Sequence, residues 1–125
     1  MLVEALMTRP AHHCHEHDML DVAARLMWEH DCGCVPVLDG SGELVGIVTD
    51  RDVCMAAYTR GLPLAAIRVD ATMAHTLIVC RPEETVSAAL RRMEAHDVRR
   101  LPVVGAHGQL VGILSLADVV RARPA

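Results

Sequence analysis

Two stretches of the chain decide its fold: VPVLDGSGELVGIVTDRDV at residues 35–53 and LPVVGAHGQLVGILSLADV at residues 101–119. They align without a gap when the sequence is shifted by 66 residues. The alignment extends over residues 1–59 and 67–125, with 19 identities in 59 pairs. Self-similarity at one fixed offset is typical of a tandem duplication. The chain therefore contains two tandem copies of one unit.

Each copy predicts the same order of elements, β-α-β-β-α. The first strand falls near residues 12–17 in the first copy and 76–81 in the second. Apolar residues then recur at helical spacing, with Asp18 and Glu84 as the expected N-caps. Two β runs with glycine-containing turns predict a hairpin in each copy, followed by a second helix. The apolar helix positions are Leu20, Ala23, Ala24 and Met27, then Val86, Ala89, Leu90 and Met93; the turns are DGSGE (39–43) and GAHGQ (105–109), and the second helices span about 50–58 and 116–123.

The duplication predicts an α+β fold with two domains, residues 1–62 and 63–125. A unit of about 60 residues buries too little surface to be comfortably stable alone. We therefore expect the two units to pack through their sheets with pseudo-two-fold symmetry. Clefts where two such copies meet are where small ligands commonly bind.

The amino-acid composition argues against several classes of function. Of 125 residues, 52% are hydrophobic but only 2% aromatic, too few for a platform that stacks single-stranded nucleic acid. A formal net charge of -4 also argues against binding to a phosphate backbone. The sequence has no run of 18 apolar residues and no signal-peptide pattern. Five cysteines, an odd number, predict reduced thiols and a cytoplasmic location, with Cys54 and Cys80 as small core residues.

The sharpest motif is glycine, two apolar residues, a hydroxyl residue, two free positions and aspartate. It places Thr49 and Asp52 in the first copy, and Ser115 and Asp118 in the second, at a strand-to-helix junction. Glycine permits close approach of another backbone or a ligand, and a helix start attracts anions such as phosphate. The aspartate, one turn into the helix, is placed to accept two hydrogen bonds from a diol. The alternative is a capping box, in which the same side chains only terminate the helix.

The paired (V/L)PV and LVGI(V/L)(T/S)xxD signatures resemble those of the tandem CBS domain pair, or Bateman module, over nearly the whole chain. Among its members, the chain is similar to short bacterial proteins that consist of one CBS pair. The resemblance implies β-α-β-β-α units whose clefts bind AMP, ADP, ATP, S-adenosylmethionine or NAD-type ligands. It also implies that Asp52 and Asp118 hold ribose hydroxyls, and that Thr49 and Ser115 meet the ribose or phosphate. The remaining ligand contacts that it implies are Thr8, His12, Thr76 and Ile78 around the base, with Arg51, Arg100 and Pro102.

The two copies differ around the motif. Arg51 lies inside the first motif, where the second has Ala117. Arg99 and Arg100 precede the second proline strand, where the first copy has glycine and cysteine. The resemblance favours Arg100 as the phosphate contact, with Arg51 second, whereas the simpler interpretation is that Arg99 and Arg100 are solvated charges beside a strand. We expect the two clefts to differ in affinity.

The stretch HHCHEH at residues 12–17 invites a metal hypothesis, with Cys32 and Cys34 as further ligands. Imidazole and thiolate suit zinc, but no spacing here matches C-x2-C with H-x3-5-H. Because the repeat places the stretch on the first strand, we expect solvated histidines and no dedicated metal site, with His12 near the ligand base. The donors that a metal site would use are His12, His13, Cys14, His15, His17, Cys32 and Cys34.

Together these patterns predict a non-catalytic regulatory module that binds an adenosine-containing ligand and requires no cofactor. No nucleophile lies in a recognisable catalytic motif. A homodimer is expected, with an effector protein as a further partner; Trp28, at the edge of the first helix, marks either the dimer interface or a partly covered surface position. Two alternatives remain open: a metal or redox sensor built on the His/Cys residues, and a protein-interaction adaptor with decayed clefts.

Overall fold

A computed structural model describes residues 1–122, and its elements follow the predicted order. The second helices predicted over 50–58 and 116–123 are observed at Asp50–Arg60 and Leu116–Ala122, and Arg123 lies outside the described residues. None of the helices within residues 1–122 is long and apolar enough to cross a membrane. The elements are α1 (Val3–Leu6), β1 (Cys14–His15), α2 (Leu20–His30), β2 (Cys34–Leu38), β3 (Leu44–Thr49), α3 (Asp50–Arg60), short 3-10 helices at Leu64–Ala66 and Val69–Ala71, α4 (Val86–His96), β4 (Arg100–Val104), β5 (Leu110–Ser115) and α5 (Leu116–Ala122).

Both predicted hairpins form, with the same register. Pro36 lies opposite Ile47 in the β2–β3 pair, and Pro102 lies opposite Ile113 in the β4–β5 pair. Each pair also contains an irregularity at the same place, after the fourth residue of its β2 or β4 strand. Gly42 and Gly108 occupy matching turn positions with φ of 88° and 80°, a left-handed conformation that favours glycine.

The first strand of each copy is shorter than predicted. β1 contains only Cys14 and His15, which pair in parallel with β2. In the second copy a single parallel bridge joins Cys80 to Val103. Pro82, which has no N–H, ends the ladder there, and in the first copy a turn begins at Glu16. HHCHEH is thus a two-residue strand flanked by loop and turn.

The predicted N-caps Asp18 and Glu84 are wrong. α2 begins after Met19 without a side-chain cap, and α4 begins after Thr85, whose hydroxyl accepts a hydrogen bond from the Ala88 N–H at 3.2 Å. The two carboxylates instead close the preceding turn, accepting hydrogen bonds from N–H groups three residues earlier. They lie one residue too early to reach the free N–H groups of the first helical turn.

Each hairpin packs against the apolar face of the helix before it. Leu20 and Ala23 of α2 are fully buried, as is Ala89 of α4, which confirms the predicted helix faces. Cys80 is buried as expected. The prediction that Cys54 belongs to the core is wrong: it is exposed, because Val53 and Ala56 form the core-facing side of α3.

The described residues form two compact units: His12–Leu77, here the central unit, and Met1–Ala11 together with residues 78–122, here the terminal unit. This division differs from the predicted domain boundaries 1–62 and 63–125, which follow the sequence repeat. The reason is the segment that precedes each copy's first strand. Thr8 pairs with Ile113 in the terminal unit, and its repeat partner Ala74 pairs with Ile47 in the central unit.

Candidate functional site

The first motif forms the junction between β3 and α3 in the central unit. The Asp52 N–H donates to Thr49 Oγ1 at 3.1 Å, and the Thr49 N–H donates to Asp52 Oδ2 at 2.9 Å. These two bonds form a capping box, so the capping interpretation of the motif holds for this copy. The second oxygen, Oδ1, has no hydrogen-bond partner among residues 1–122. We call Thr49 and Asp52, with Ala74 at the repeat position of Thr8, the Asp52 site.

The second motif forms the junction between β5 and α5 in the terminal unit. The Asp118 N–H donates to Ser115 Oγ at 3.1 Å, as in the first motif. The Asp118 carboxylate, however, has different partners: Thr8 Oγ1 donates to its Oδ2 at 3.3 Å, and the Arg121 guanidinium donates to its Oδ1. We call Ser115, Asp118, Thr8 and Arg121 the Asp118 site.

The pKa of Asp118 reflects these contacts. Burial opposes ionisation, but hydrogen bonds from Ser115, Arg121 and Thr8 outweigh it and hold the pKa of the carboxyl below its ordinary value. The Asp118 side chain is 15% exposed. The site therefore presents a partly buried, ionised carboxylate that already has intramolecular donors.

Each motif glycine lies against another backbone, as predicted. A Cβ at Gly46 would lie 2.5 Å from Met73 Sδ and 3.1 Å from the Ala74 carbonyl oxygen. A Cβ at Gly112 would lie 2.8 Å from Met7 Sδ and 3.0 Å from the Thr8 carbonyl oxygen. Lack of a side chain thus lets the segment before each first strand approach its motif, and the repeated methionines pack there.

Comparison with known proteins identifies the family. The family model of the CBS domain matches two segments, residues 3–58 and 67–125. The chain belongs to the CBS domain family. It is 34% identical over 109 residues to Hypoxic response protein 1 of Mycobacterium tuberculosis, across 87% of this chain and 76% of that protein.

Solved CBS structures confirm the fold. The crystal structure of Hypoxic Response Protein I with two coordinated zinc ions has a TM-score of 0.89 and 30% identity, across 99% of this chain and 100% of that one. The CBS domain pair of protein MJ0100, in complex with 5′-methylthioadenosine and S-adenosyl-L-methionine, has a TM-score of 0.87 and 25% identity, across 97% and 94%. The chain is thus a CBS domain pair of α+β class.

The other predicted ligand residues divide between the two CBS units. Arg100 lies directly opposite Ser115 in the β4–β5 pair, so their side chains share a face of the hairpin. Arg51 is exposed on α3. Pro102 is fully buried and offers no accessible surface to a ligand.

The residues predicted to surround the base are divided between the two units. Thr8 reaches Asp118 in the terminal unit, whereas His12 belongs to the central unit and stacks on His30 with ring centroids 3.4 Å apart. Thr76 is exposed in the central unit, and Ile78 packs against the core of the terminal unit. Sequence reasoning missed Arg121, although its position three residues after Asp118 on a helix is a usable signal.

The histidines and cysteines of the metal hypothesis are spread over different environments. Of the histidines, His13 and His15 meet edge to face, with centroids 5.6 Å apart. Cys14 is buried, and burial raises the pKa of its thiol to about 12, which disfavours the thiolate that binds metals. Across residues 1–122, no three His, Cys, Asp or Glu side chains lie close enough together to hold a metal ion.

An open groove of about 230 Å³ begins at Asp52 and follows α3. At its far end, Arg60 Nη2 donates to the Ala71 carbonyl oxygen at 3.0 Å. Its volume lies below the ~300–1,000 Å³ of typical ligand pockets, so it suits part of a small molecule. The residues that line it are Asp52, Met55, Ala56, Thr59, Arg60, Ala71 and Thr72.

Proposed function

We propose that this CBS pair is a non-catalytic regulatory module that binds an adenosine-containing ligand, with Asp52 and Asp118 accepting hydrogen bonds from ribose hydroxyls. The observation that carries the proposal is the recurrence of one partly buried aspartate, one helical turn after a strand, in both units. A carboxylate with an unoccupied or exchangeable oxygen is a strong acceptor for a diol. The related CBS pair of protein MJ0100, which holds two adenosine compounds, supports this ligand class.

The hydroxyl groups near these carboxylates support binding over catalysis. Thr49 and Ser115 both accept hydrogen bonds from helix N–H groups, which is a capping role. A nucleophilic hydroxyl needs an adjacent general base. Asp52 accepts the Thr49 N–H, and Asp118, although Ser115 hydrogen-bonds to it, is a weakened base because Thr8 and Arg121 also donate to it and its pKa lies below the ordinary value. Ligand binding then regulates by favouring one arrangement of the module, which requires different affinities for two arrangements.

The first test is a thermal-shift screen with AMP, ADP, ATP, S-adenosylmethionine, 5′-methylthioadenosine, NAD and GMP. A ligand at 100 times its dissociation constant adds about 2.7 kcal/mol of stability. We expect at least one adenosine compound to stabilise the protein, GMP to have a smaller effect, and Asp52→Asn or Asp118→Asn to reduce the shift. Thr85→Ala is the matched control, because it removes a helix cap outside both sites.

Other results would favour the rival functions. Turnover of a tested compound that is lost in the aspartate variants would make the protein an enzyme. Stoichiometric metal in protein purified without a histidine tag would support the metal sensor. No shift with any adenosine compound would contradict the proposal and leave the adaptor function.

We further propose that the module assembles as a homodimer through α2 and α3. Trp28 on α2 is 88% exposed and Tyr58 on α3 is 84% exposed, and these helices contact each other within the central unit. Trp28 is thus not the partly covered surface residue of the alternative interpretation. Aromatic residues of this kind are enriched in protein interfaces.

The oligomeric state is measured by size-exclusion chromatography with light scattering. We expect a dimer for the unmodified protein and a monomer, or a markedly weaker dimer, for Trp28→Ala with Tyr58→Ala. Glu94→Ala, at the repeat position equivalent to Trp28, is the control and should leave the dimer intact. A monomeric unmodified protein would contradict the proposal.

A further inference from the structure

The two carboxylates differ in how many of their oxygens are available to a ligand. At the Asp52 site, one oxygen belongs to the capping box and Oδ1 has no partner in the described part of the chain. That carboxylate also borders an open groove. A neutral diol can therefore bond to Asp52 without displacing any intramolecular donor.

At the Asp118 site both oxygens are occupied. Thr8 donates to Oδ2 and Arg121 donates to Oδ1. A diol that binds Asp118 must displace at least one of these donors. If Arg121 is displaced, its guanidinium loses its carboxylate, and an anionic group on the ligand would restore the pairing.

The residues around the motifs reinforce this contrast. In the repeat alignment, Met55 of the first copy corresponds to Arg121 of the second, and Cys34 corresponds to Arg100. Cys34 lies opposite Thr49, just as Arg100 lies opposite Ser115. The Asp118 site is therefore the more cationic of the two.

Two arginines oppose the contrast: Arg60, which lines the groove beside Asp52 but donates to the Ala71 carbonyl oxygen at its far end, and Arg51. Arg51 follows Asp50 at the start of α3, where the second copy has Ala117. The side chain of Arg51 is exposed, and Asp50 beside it carries the opposite charge. Among residues 1–122, Arg51 forms no ion pair with the Asp52 carboxylate, whereas Arg121 is paired with Asp118, so Arg51 is not held at the oxygens that a ligand approaches.

Building on the proposed function, we infer that the two sites sort adenosine compounds by charge. The Asp52 site binds adenosine compounds with or without a phosphate, whereas the Asp118 site selects phosphorylated nucleotides. Arg121 is the residue that determines this specificity, because it leaves Asp118 only when the ligand supplies another anion. A single module thereby reports on two chemically distinct adenosine compounds.

The test is isothermal titration calorimetry with adenosine and AMP, which differ by one phosphate, on variants with one motif carboxylate. Asp52→Asn retains the Asp118 site, and there we expect AMP to bind at least about tenfold more tightly than adenosine, as for hydrogen bonds to charged groups. Asp118→Asn retains the Asp52 site, and there we expect the two affinities to agree within about threefold.

Substitutions of Arg121 then assign the preference. In the Asp52→Asn background, Arg121→Met copies the first repeat and should reduce the preference for AMP by about fivefold, whereas Arg121→Lys should retain most of it. The reciprocal Met55→Arg, in the Asp118→Asn background, should create a preference for AMP. A fivefold loss together with the lysine rescue would establish the role of Arg121.

Three results would overturn the inference, and they are distinguishable. If the ratio of the AMP affinity to the adenosine affinity were equal in the two single-carboxylate variants, the two sites would not sort ligands by charge. The proposed function would remain intact. A preference for AMP that persists in Arg121→Met would remove the role of Arg121. Absence of binding of both compounds to the unmodified protein would remove this inference, and the thermal-shift screen with the other adenosine compounds would then decide the proposed function.

Discussion

The β3–α3 and β5–α5 junctions carry the same motif and the same backbone bonding, but their carboxylates have different partners. In both, the aspartate N–H donates to the motif hydroxyl at 3.1 Å. Among the described residues, the Asp52 carboxylate bonds only to its own helix start, whereas the Asp118 carboxylate also bonds to Thr8 and Arg121. The duplicated motif thus determines the backbone conformation of each junction. The neighbouring side chains determine which carboxylate oxygens are available to a ligand.

The largest expected effect tests the shared backbone. Gly112→Val should lower the free energy of unfolding by about 1–3 kcal/mol or more, because overpacked side chains force backbone shifts. Its Cβ alone would lie 3.0 Å from the Thr8 carbonyl oxygen. Gly46→Val should have a similar effect through Ala74. Urea denaturation followed by circular dichroism measures both.

Gly40→Val is the matched control, since no atom lies within 4 Å of a Cβ built at this turn glycine. The two motif substitutions also separate the sites, because only Gly112→Val displaces Thr8 and should weaken ligand binding at Asp118. A Gly112→Val protein as stable as Gly40→Val would show that the close approach does not exist.

A smaller effect tests the helix starts, where the copies again differ. Thr85→Ala should destabilise the protein by about 1 kcal/mol, because it removes the hydroxyl that accepts the Ala88 N–H. Met19→Thr, at the equivalent and uncapped position of α2, should stabilise it by an amount up to about the same size. The midpoint of urea unfolding measures both changes.

Ser87→Ala, on the exposed side of α4, is the control for loss of a hydroxyl without loss of a cap. If Thr85→Ala and Ser87→Ala had equal midpoints of urea unfolding, the Thr85 cap would contribute nothing to stability. If Met19→Thr destabilised the protein, the assumed equivalence of the two helix starts would be wrong.

Local patterns account for what could be predicted from the sequence. The hairpins follow from alternating strands around glycine turns, and the helix faces follow from apolar spacing, since both depend on residues close in sequence. The motif positions were also predictable, because two copies at one offset reinforce each other. Pro36 and Pro102 accordingly have equivalent partners in the two hairpins.

Partners distant in sequence account for what could not be predicted. Thr8 and Asp118 are 110 residues apart, and no local pattern joins them. The predicted N-caps were wrong because an acid before a helix can also close the preceding turn, as Asp18 and Glu84 do. Whether such an acid caps the helix or closes the turn depends on where the strand before the helix ends. In the second copy that strand is reduced to a single bridge at Cys80.

The third prediction uses pH to isolate the Asp118 carboxylate. Its pKa is held below the ordinary value in the folded protein, so the ionised form stabilises the fold above the unfolded-state pKa of about 3.9. This contribution is lost as the pH falls through the lower, folded-state pKa. The stability difference between the unmodified protein and Asp118→Asn should therefore shrink as the pH is lowered from 6 towards 3. Urea midpoints across this range measure it, and a difference that does not change with pH would contradict the assignment.

The smallest expected effect concerns Arg121, whose side chain is 74% exposed. Ion pairs that are open to solvent contribute at most about 1 kcal/mol, and helical pairs of this spacing about 0.3–0.5 kcal/mol. Arg121→Met should therefore change the urea midpoint only slightly, and Met55→Arg should change it less, because Asp52 already bonds to Thr49. A loss above about 1 kcal/mol for Arg121→Met would mean that the arginine maintains the fold. A near-neutral value, combined with a reduced preference for AMP, would mean that the second copy carries this residue for ligand selection, and that the two junctions differ in specificity more than in stability.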